Sequence, residues 1–182
     1  AMELEGQKTV EMGGAMAVDV ERLREFLVSS GVYAPDHAPP HMRKFSTGQS
    51  NPTYLVDNMW VLRKQPPGLG GRNSSAHRVD REFAILKALE KIDFPAPKPI
   101  VLCEDPSVLG ESFYLMSFVK GRVVKSPALP GFTPNERRAV YRSCLETLAK
   151  LHQVDWRAIG LHDFGQAGGM YDRQLTSLVK VS

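Results

Sequence analysis

The stretch WVLRKQPPGLGGRNSSAHRVDREFAILKALEK occupies residues 60–91 and decides the fold that this sequence predicts. Its first five residues suit a β-strand, whose alternation places Val61 and Arg63 on one face. After a loop of Pro and Gly residues, apolar side chains recur at helical spacing from residue 77 to 91, and Glu82 lies on their face. Burying an unpaired carboxylate there would be costly. We therefore expect Glu82 to pair with Arg63, on a strand that the helix covers.

On either side of this stretch, the sequence predicts an α+β fold with a mostly antiparallel, five-stranded sheet and one helix inserted between its third and fourth strands. The predicted elements are a helix over 20–30 capped by Asp19, two strands within 45–56, a strand over 59–64, the helix over 77–91, strands over 100–103 and 112–119, and a long helix from Thr133 to about Gln153. Residues 1–17 are weakly patterned and predict a mobile leader. Residues 18–121 then form a first lobe, and residues 122–182 form a linker and an incomplete helical second lobe.

Composition and charge exclude several classes of protein. The 182 residues carry a net charge of +3, with no basic run longer than two residues, so we expect no nucleic-acid partner. No apolar run approaches the roughly 20 residues of a membrane span, and no signal-peptide pattern opens the chain. Cys103 and Cys144 are far apart, which gives no metal-binding spacing and argues against a disulfide framework. We therefore expect an intracellular protein in a reducing compartment.

Two features could bind phosphate, and each also has a simpler explanation. In the turn around Gly48, Ser50 and Asn51, the glycine would let the backbone approach a bound phosphate closely, and the neighbouring side chains supply amides and hydroxyls. On its own, one Gly between two strands is more often a plain hairpin turn. Arg63 could hold phosphates while the apolar residue two positions before it covers a base. Alternatively, Arg63 could be a solvated strand residue. The pairing expected for Glu82 favours the nucleotide, since protein kinases hold the phosphates of ATP with such a pair.

Several motifs, in order, resemble the aminoglycoside-phosphotransferase-like branch of the kinase fold, and more closely the kinase-like domain attached to certain large proteins of the acyl-CoA dehydrogenase family. The motifs are STGQSNPT at 46–53, VLRKQPPG at 61–68, HRVDRE at 77–82, FPAPKPI at 94–100, FYLMSFVKG at 113–121 and LAKLH at 148–152. The resemblance implies ATP as the cofactor, with Mg²⁺ in the complete domain. It also implies a small-molecule substrate of hydroxyacyl-CoA type and an acyl-CoA dehydrogenase module in the parent chain, located in a mitochondrion or peroxisome.

The resemblance implies roles for individual residues at the phosphate end of the site. Gly48, Ser50 and Asn51 would line the phosphate loop. Arg63 stands at a strand position where many relatives have Lys, and it keeps the charge while adding a planar fork of donors. Glu82 would be its partner.

At the adenine end, the resemblance identifies Met116 to Val119 as the hinge strand. Backbone groups of Ser117 and Val119 would hydrogen-bond adenine, beside the apolar side chains of Val61 and Met116. The same strand also suits a buried core. Both interpretations hold together, because hinge recognition uses backbone groups.

The sequence departs from active relatives where the chemistry would occur. Those relatives carry a His-Gly-Asp loop, an Asn five residues after that Asp, and a later second Asp; none of these is present here, so we predict no catalytic residue and no metal ligand in this chain. Asp163-Phe164-Gly165 spells a metal-binding triplet, but it follows a helix rather than a catalytic loop and predicts a turn. We therefore expect the nucleotide-binding portion of a truncated phosphotransferase, inactive alone. The alternative is a non-catalytic binding or regulatory module that uses an open apolar face of the long helix.

Overall fold

The computed structural model describes residues 9–11, 18–46, 51–67, 77–124, 126–165 and 168–179. Within these ranges the chain forms one sheet and five helices, which confirms the predicted α+β class. In chain order, the elements are β1 (Thr9–Glu11), α1 (Val20–Ser29), β2 (Met42–Phe45), β3 (Thr53–Val56), β4 (Trp60–Lys64), α2 (Val79–Glu90), β5 (Pro99–Cys103), α3 (Pro106–Leu109), β6 (Phe113–Ser117), α4 (Pro134–His152) and α5 (Met170–Val179).

The strands lie in the order β1-β2-β3-β4-β6-β5, and each pair of neighbours is antiparallel. The five predicted strands are β2 to β6, with α2 inserted between the third and fourth of them. Two details differ from the prediction. Thr9–Glu11, in the predicted leader, pairs with β2 as a sixth strand at the sheet edge, for which its β-branched residues are suited. The predicted loop over 105–110 contains a short helix, because the Asp105 side chain caps its first turn.

A tight turn between β3 and β4 determines which face of the sheet Arg63 occupies. Asp57 and Asn58 have φ angles of 50° and 55°, a left-handed conformation that Asp and Asn tolerate better than most residues. The carboxylate of Asp57 also accepts a hydrogen bond from the backbone N–H of His41 at 2.7 Å. The resulting register places Thr53 opposite Arg63. A shift of one residue would move Arg63 to the other face.

One face of the sheet packs against α1 and forms the main core. Leu23 and Leu27 of α1 are fully buried, and Phe26 meets Phe113 edge-on with ring centroids 5.4 Å apart. The helix begins as predicted at Asp19, whose carboxylate accepts a hydrogen bond from the backbone N–H three residues later at 3.1 Å. The strand residues in this core include Tyr54, Val56, Leu62, Phe113 and Leu115.

The helix α2 lies against the opposite face, where Arg63 projects. Phe83 of α2 meets Tyr114 of β6 with ring centroids 5.8 Å apart, and Val79 is fully buried. Residues three and four positions apart share one side of a helix. Val79 and Phe83 therefore place Glu82 on the side of α2 that faces the sheet.

The long helix α4 begins with the predicted capping box. The Thr133 hydroxyl accepts from the Glu136 backbone N–H at 3.3 Å, and the Glu136 carboxylate accepts from the Thr133 N–H at 2.7 Å. No residue of α4 is buried, and its predicted apolar face is largely exposed, with Leu145 at 63%. The residues of this α4 apolar face are Val140, Tyr141, Cys144, Leu145, Leu148 and Leu151. In the described part of the chain, no helix combines the length and apolar character that crossing a membrane requires.

Replacing Thr133 by Ala should lower the free energy of unfolding by about 1 kcal/mol, because it removes the hydroxyl that accepts from the Glu136 N–H and donates to the Glu136 carboxylate. Thr147→Ala is the matched control, since the Thr147 hydroxyl donates only to the Ser143 carbonyl of the preceding turn at 2.8 Å and Ala favours a helix interior. Urea unfolding followed by circular dichroism measures both. Equal losses for the two variants would contradict the capping account.

Candidate functional site

The predicted ion pair between β4 and α2 is present. Nη2 of Arg63 donates to Oε1 of Glu82 at 3.0 Å, and Nε of Arg63 lies 2.8 Å from Oε2. The two side chains are 30% and 34% exposed, so one side of the pair is open to a ligand. An ion pair with this exposure adds little to stability. Its main effect is geometric, because two contacts fix the plane of the guanidinium.

Two further side chains hold the Glu82 carboxylate. The Tyr114 hydroxyl donates to Oε2 at 3.0 Å, and Nδ2 of Asn51 donates to Oε1 at 3.2 Å. Asn51 is itself buried, and its Oδ1 lies 3.2 Å from Nδ1 of His77. Both carboxylate oxygens therefore have partners from β4, β6 and the residues before β3. This network orients Glu82 before any ligand binds.

The buried Tyr114 hydroxyl keeps its proton more firmly than a free phenol does. Burial raises the pKa of Tyr114 above its usual value of 10.0, and the negative charge and hydrogen bond of Glu82 raise this pKa further. An ionised phenolate beside Glu82 would be repelled by the carboxylate. Tyr114 therefore serves as a permanent hydrogen-bond donor to Glu82 across the physiological pH range.

Alkaline conditions should destabilise the fold partly through Tyr114. Above pH 10 the unfolded chain ionises its tyrosines while the folded chain keeps the Tyr114 proton, so the free energy of unfolding falls as pH rises. Burial also raises the pKa of Tyr54, and burial with Asp57 raises that of Tyr33. Tyr114→Phe should therefore make the alkaline loss of stability less steep without abolishing it. Urea unfolding at a series of pH values measures the slope; an unchanged slope would contradict this role.

The face of the sheet that carries Arg63 continues as an apolar surface. In the β4–β6 register, Val61 lies opposite Met116 and Arg63 lies opposite Tyr114, so all four side chains share that face. Val61 is buried and Met116 is half-buried. A flat ligand that lay on Val61 and Met116 would have Arg63 beside it, because Arg63 and Tyr114 form the next cross-strand pair on the same face.

The residues predicted as the hinge lie at and beyond the end of β6. The backbone N–H of Ser117 donates to the Lys98 carbonyl at 2.8 Å, and the Ser117 hydroxyl accepts from the Lys98 N–H at 2.9 Å. The N–H of Ser117 is thus engaged with Lys98 and is not available to a ligand. Val119 follows the strand and is 55% exposed.

The structure brings together Val61, Arg63, Glu82 and Met116, with Ser117 and Val119 at the strand end. Of the residues predicted to line the phosphate loop, Gly48 and Ser50 lie outside the described residues. Asn51 is described, and its side chain is engaged by Glu82 and His77 instead of projecting as a free amide.

Tyr114 and His77 are parts of the site that the sequence did not predict. A signal for Tyr114 was available, because it lies two residues before Met116 and strand alternation therefore places it on the same face. Nothing in the local pattern indicated His77, whose contact with Asn51 joins residues 26 positions apart.

The Asp163-Phe164-Gly165 triplet lies in a turn after α4, as predicted. The Asp163 carboxylate is 92% exposed and contacts the neighbouring His162 at 3.0 Å. In the ranges that the structure describes, no group of three His, Cys, Asp or Glu side chains is placed to hold a metal ion. Phe164, in contrast, contacts Arg81 of α2.

Comparisons with known proteins find matches in sequence. The phosphotransferase enzyme family matches residues 41–181. Acyl-CoA dehydrogenase family member 11 of Homo sapiens is 40% identical over 154 residues, which cover 83% of this chain and 20% of that protein. Acyl-CoA dehydrogenase family member 10 of Mus musculus is 39% identical over 169 residues, which cover 91% of this chain and 15% of that protein.

A solved structure shares the fold. It is a protein of Ralstonia eutropha JMP134 that bears the provisional name aminoglycoside phosphotransferase, and it superposes with a TM-score of 0.69 at 36% sequence identity. The match covers 89% of this chain and 46% of that one. The chain therefore spans less than half of this neighbour and about a fifth of the length of its curated relatives.

Proposed function

Because this chain belongs to the phosphotransferase enzyme family, we propose that it is the nucleotide-binding portion of an ATP-dependent phosphotransferase that acts on a small molecule. The observation that carries the proposal is the contact between Arg63 and Glu82, with Nη2 and Oε1 3.0 Å apart. A cation on the strand before the inserted helix, held by a carboxylate of that helix, is how protein kinases position the phosphates of ATP.

The phosphate end of the site would work through orientation and charge. Arg63 would present a positively charged, rigid fork of N–H donors to phosphate oxygens. Glu82 holds one edge of the guanidinium, and Tyr114 and Asn51 hold Glu82. A guanidinium that is already oriented loses less conformational freedom when a phosphate binds. The binding free energy of the triphosphate therefore depends on this network.

The adenine end would use shape and backbone groups. Val61 and Met116 would contact the base from one side. The Ser117 carbonyl would accept a hydrogen bond from the exocyclic amino group, and the backbone at Val119 would contact the ring edge. Mg²⁺ would enter with the nucleotide, since it is commonly held by phosphate oxygens, water and few carboxylates. When bound, ATP with its Mg²⁺ would supply the phosphoryl group that the longer parent protein would transfer to a hydroxyl.

The acceptor and the site of transfer belong to the longer parent protein in this proposal. The relatives named as acyl-CoA dehydrogenases support a substrate of hydroxyacyl-CoA type, next to a dehydrogenase module. The printed sequence contains no His-Gly-Asp motif. We therefore expect the 182-residue chain to bind nucleotide and to transfer no phosphate by itself.

Isothermal titration of this chain with ATP, ADP, AMP and adenosine, each with Mg²⁺, tests the proposal. Affinity should rise with the number of phosphates, because Arg63 contacts the phosphates. An assay with labelled ATP and a mixture of hydroxyacyl-CoA compounds should show no product above background. Absence of binding at millimolar ATP would overturn the nucleotide site, and labelled product would overturn the assignment of the chemistry to residues outside this chain.

A second candidate is a binding module without nucleotide, favoured by the exposure of the α4 apolar face. Exposed apolar surface of this extent commonly marks a contact between proteins. Leu145→Lys would distinguish the two functions. It should abolish any self-association in sedimentation velocity and leave ATP affinity unchanged if the nucleotide site is real. A chain that associates through α4 but shows no ATP response would support the second candidate.

A further inference from the structure

The segment that follows α4 returns to the first lobe and packs on α2. This strap, residues 154–165, places Ile159 in a buried cluster with Ala88 and Leu89 of α2. Val154 and Leu161 of the strap pack at the margin of the same cluster. The helix that carries Glu82 is therefore held from two sides, by the sheet and by the strap.

Two cations attach the strap near opposite ends of α2. At the first turns, the Arg81 guanidinium lies over the Phe164 ring, 4.1 Å from its centroid, and Nη2 donates to the Phe164 carbonyl at 2.8 Å. At the far end, Nζ of Lys91 donates to the Ile159 carbonyl at 2.8 Å. Contacts at both ends restrain the tilt of the helix as well as its distance from the sheet.

The backbone conformation of Gly160 in the strap leaves room for the contact with Lys91. Its φ angle is +90°, a conformation that L-residues with side chains rarely adopt, and a Cβ there would lie 3.1 Å from Nζ of Lys91. The Asp155 carboxylate also accepts hydrogen bonds from the backbone N–H groups of Arg157 and Ala158 at 3.0 and 3.1 Å, which stabilises the turn. The strap thus has defined structure of its own.

The first turn of α2 contacts the strap through Arg81. Its N-cap residue, Arg78, forms no side-chain capping hydrogen bond, although such a bond commonly stabilises a helix start. Arg81 and Glu82 are neighbours that project about 100° apart around the helix, one toward the strap and one toward the sheet. The Arg63–Glu82 pair is partly exposed and is too weak to hold the helix by itself.

We infer that the strap positions Glu82, with Arg81 acting as a positioning residue through its contact with Phe164. The inference rests on the proposed nucleotide site, whose affinity for phosphates it makes dependent on residues outside that site. When the contact is lost, the first turns of α2 can move, and the carboxylate no longer holds the Arg63 guanidinium in its binding orientation.

The test compares Arg81→Met with Lys87→Met. Both replace a long cationic side chain of α2, but Lys87 is exposed and pairs with Glu90 of the same helix at 3.3 Å. By titration calorimetry, Arg81→Met should weaken ATP binding about five-fold and leave adenosine binding unchanged, whereas Lys87→Met should change neither. Combined with Glu82→Gln, Arg81→Met should cause no additional loss, because its effect passes through Glu82. An equal loss in both backgrounds, or equal weakening of adenosine, would overturn the inference.

Hydrogen exchange provides a readout that needs no nucleotide. Arg81→Met should accelerate exchange of the backbone amides over residues 82–86, where the amides of α2 begin to donate to preceding carbonyls, relative to Lys87→Met, while amides of β4 and β6 stay protected. Unchanged exchange over 82–86 would overturn the positioning role. If the unsubstituted 182-residue chain binds no ATP, the proposed function fails. The hydrogen-exchange comparison then decides by itself whether the strap holds the start of α2.

Discussion

Replacing Arg63 by Met should weaken ATP binding by about 10- to 100-fold, since hydrogen bonds to charged groups contribute roughly 1.5–3 kcal/mol. The Met side chain keeps much of the apolar stem and removes the guanidinium, and with it both the contact with phosphate and the ion pair with Glu82. Adenosine binding should change little, because the apolar surface of Val61 and Met116 is retained. Calorimetric titration of the unsubstituted 182-residue chain and of the variant with each ligand measures the difference in affinity.

Lys64→Met is the control for this prediction. Lys64 is the next residue on β4, and alternation places it on the opposite face of the sheet. It is half-buried and lies near the charge of Glu111. If the net positive charge of the chain alone attracted ATP, both variants would lose affinity equally. That outcome would contradict a specific role for Arg63.

Replacing Phe113 by Ala should lower the free energy of unfolding by about 3–5 kcal/mol, the usual cost of removing a fully buried aromatic ring. Phe113 is 0% exposed, lies in the cluster between the sheet and α1, and meets Phe26 edge-on. It also precedes Tyr114, so its loss would disturb the strand that supports the site. Urea unfolding followed by tryptophan fluorescence and circular dichroism measures the cost.

Tyr171→Ala is the matched control for the core prediction. Tyr171 is an aromatic residue of α5 that is 84% exposed, so its removal leaves no cavity and should cost less than about 0.5 kcal/mol. A similar loss of stability for the two variants would show that the cluster beneath α1 is not the main core.

The pairing of Arg63 with Glu82 could be predicted from the sequence because two periodicities determined it. Strand alternation selected the face of Arg63, and helical spacing placed Glu82 among apolar residues that had to be buried. The cost of an unpaired carboxylate then left few alternatives. The capping residues Asp19 and Thr133 were predictable for a similar reason, since their hydrogen bonds reach only three residues along the chain.

The parts that the sequence did not predict depend on contacts between distant residues. The Thr9–Glu11 strand is three residues long, too short for a periodic signal, and it forms by pairing with β2. The contact of Arg81 with Phe164 joins residues 83 positions apart. Asn51 was expected at the phosphate loop from its motif, and only the fold shows its side chain engaged with Glu82.

A crystal structure of the chain with a non-hydrolysable ATP analogue tests the central claim most directly. We predict that the Arg63 guanidinium contacts the phosphates on its open side while Glu82 holds its other edge, and that the adenine ring lies on Val61 and Met116 at the Ser117 carbonyl. An analogue bound elsewhere, or Arg63 and Glu82 separated with no phosphate between them, would contradict it.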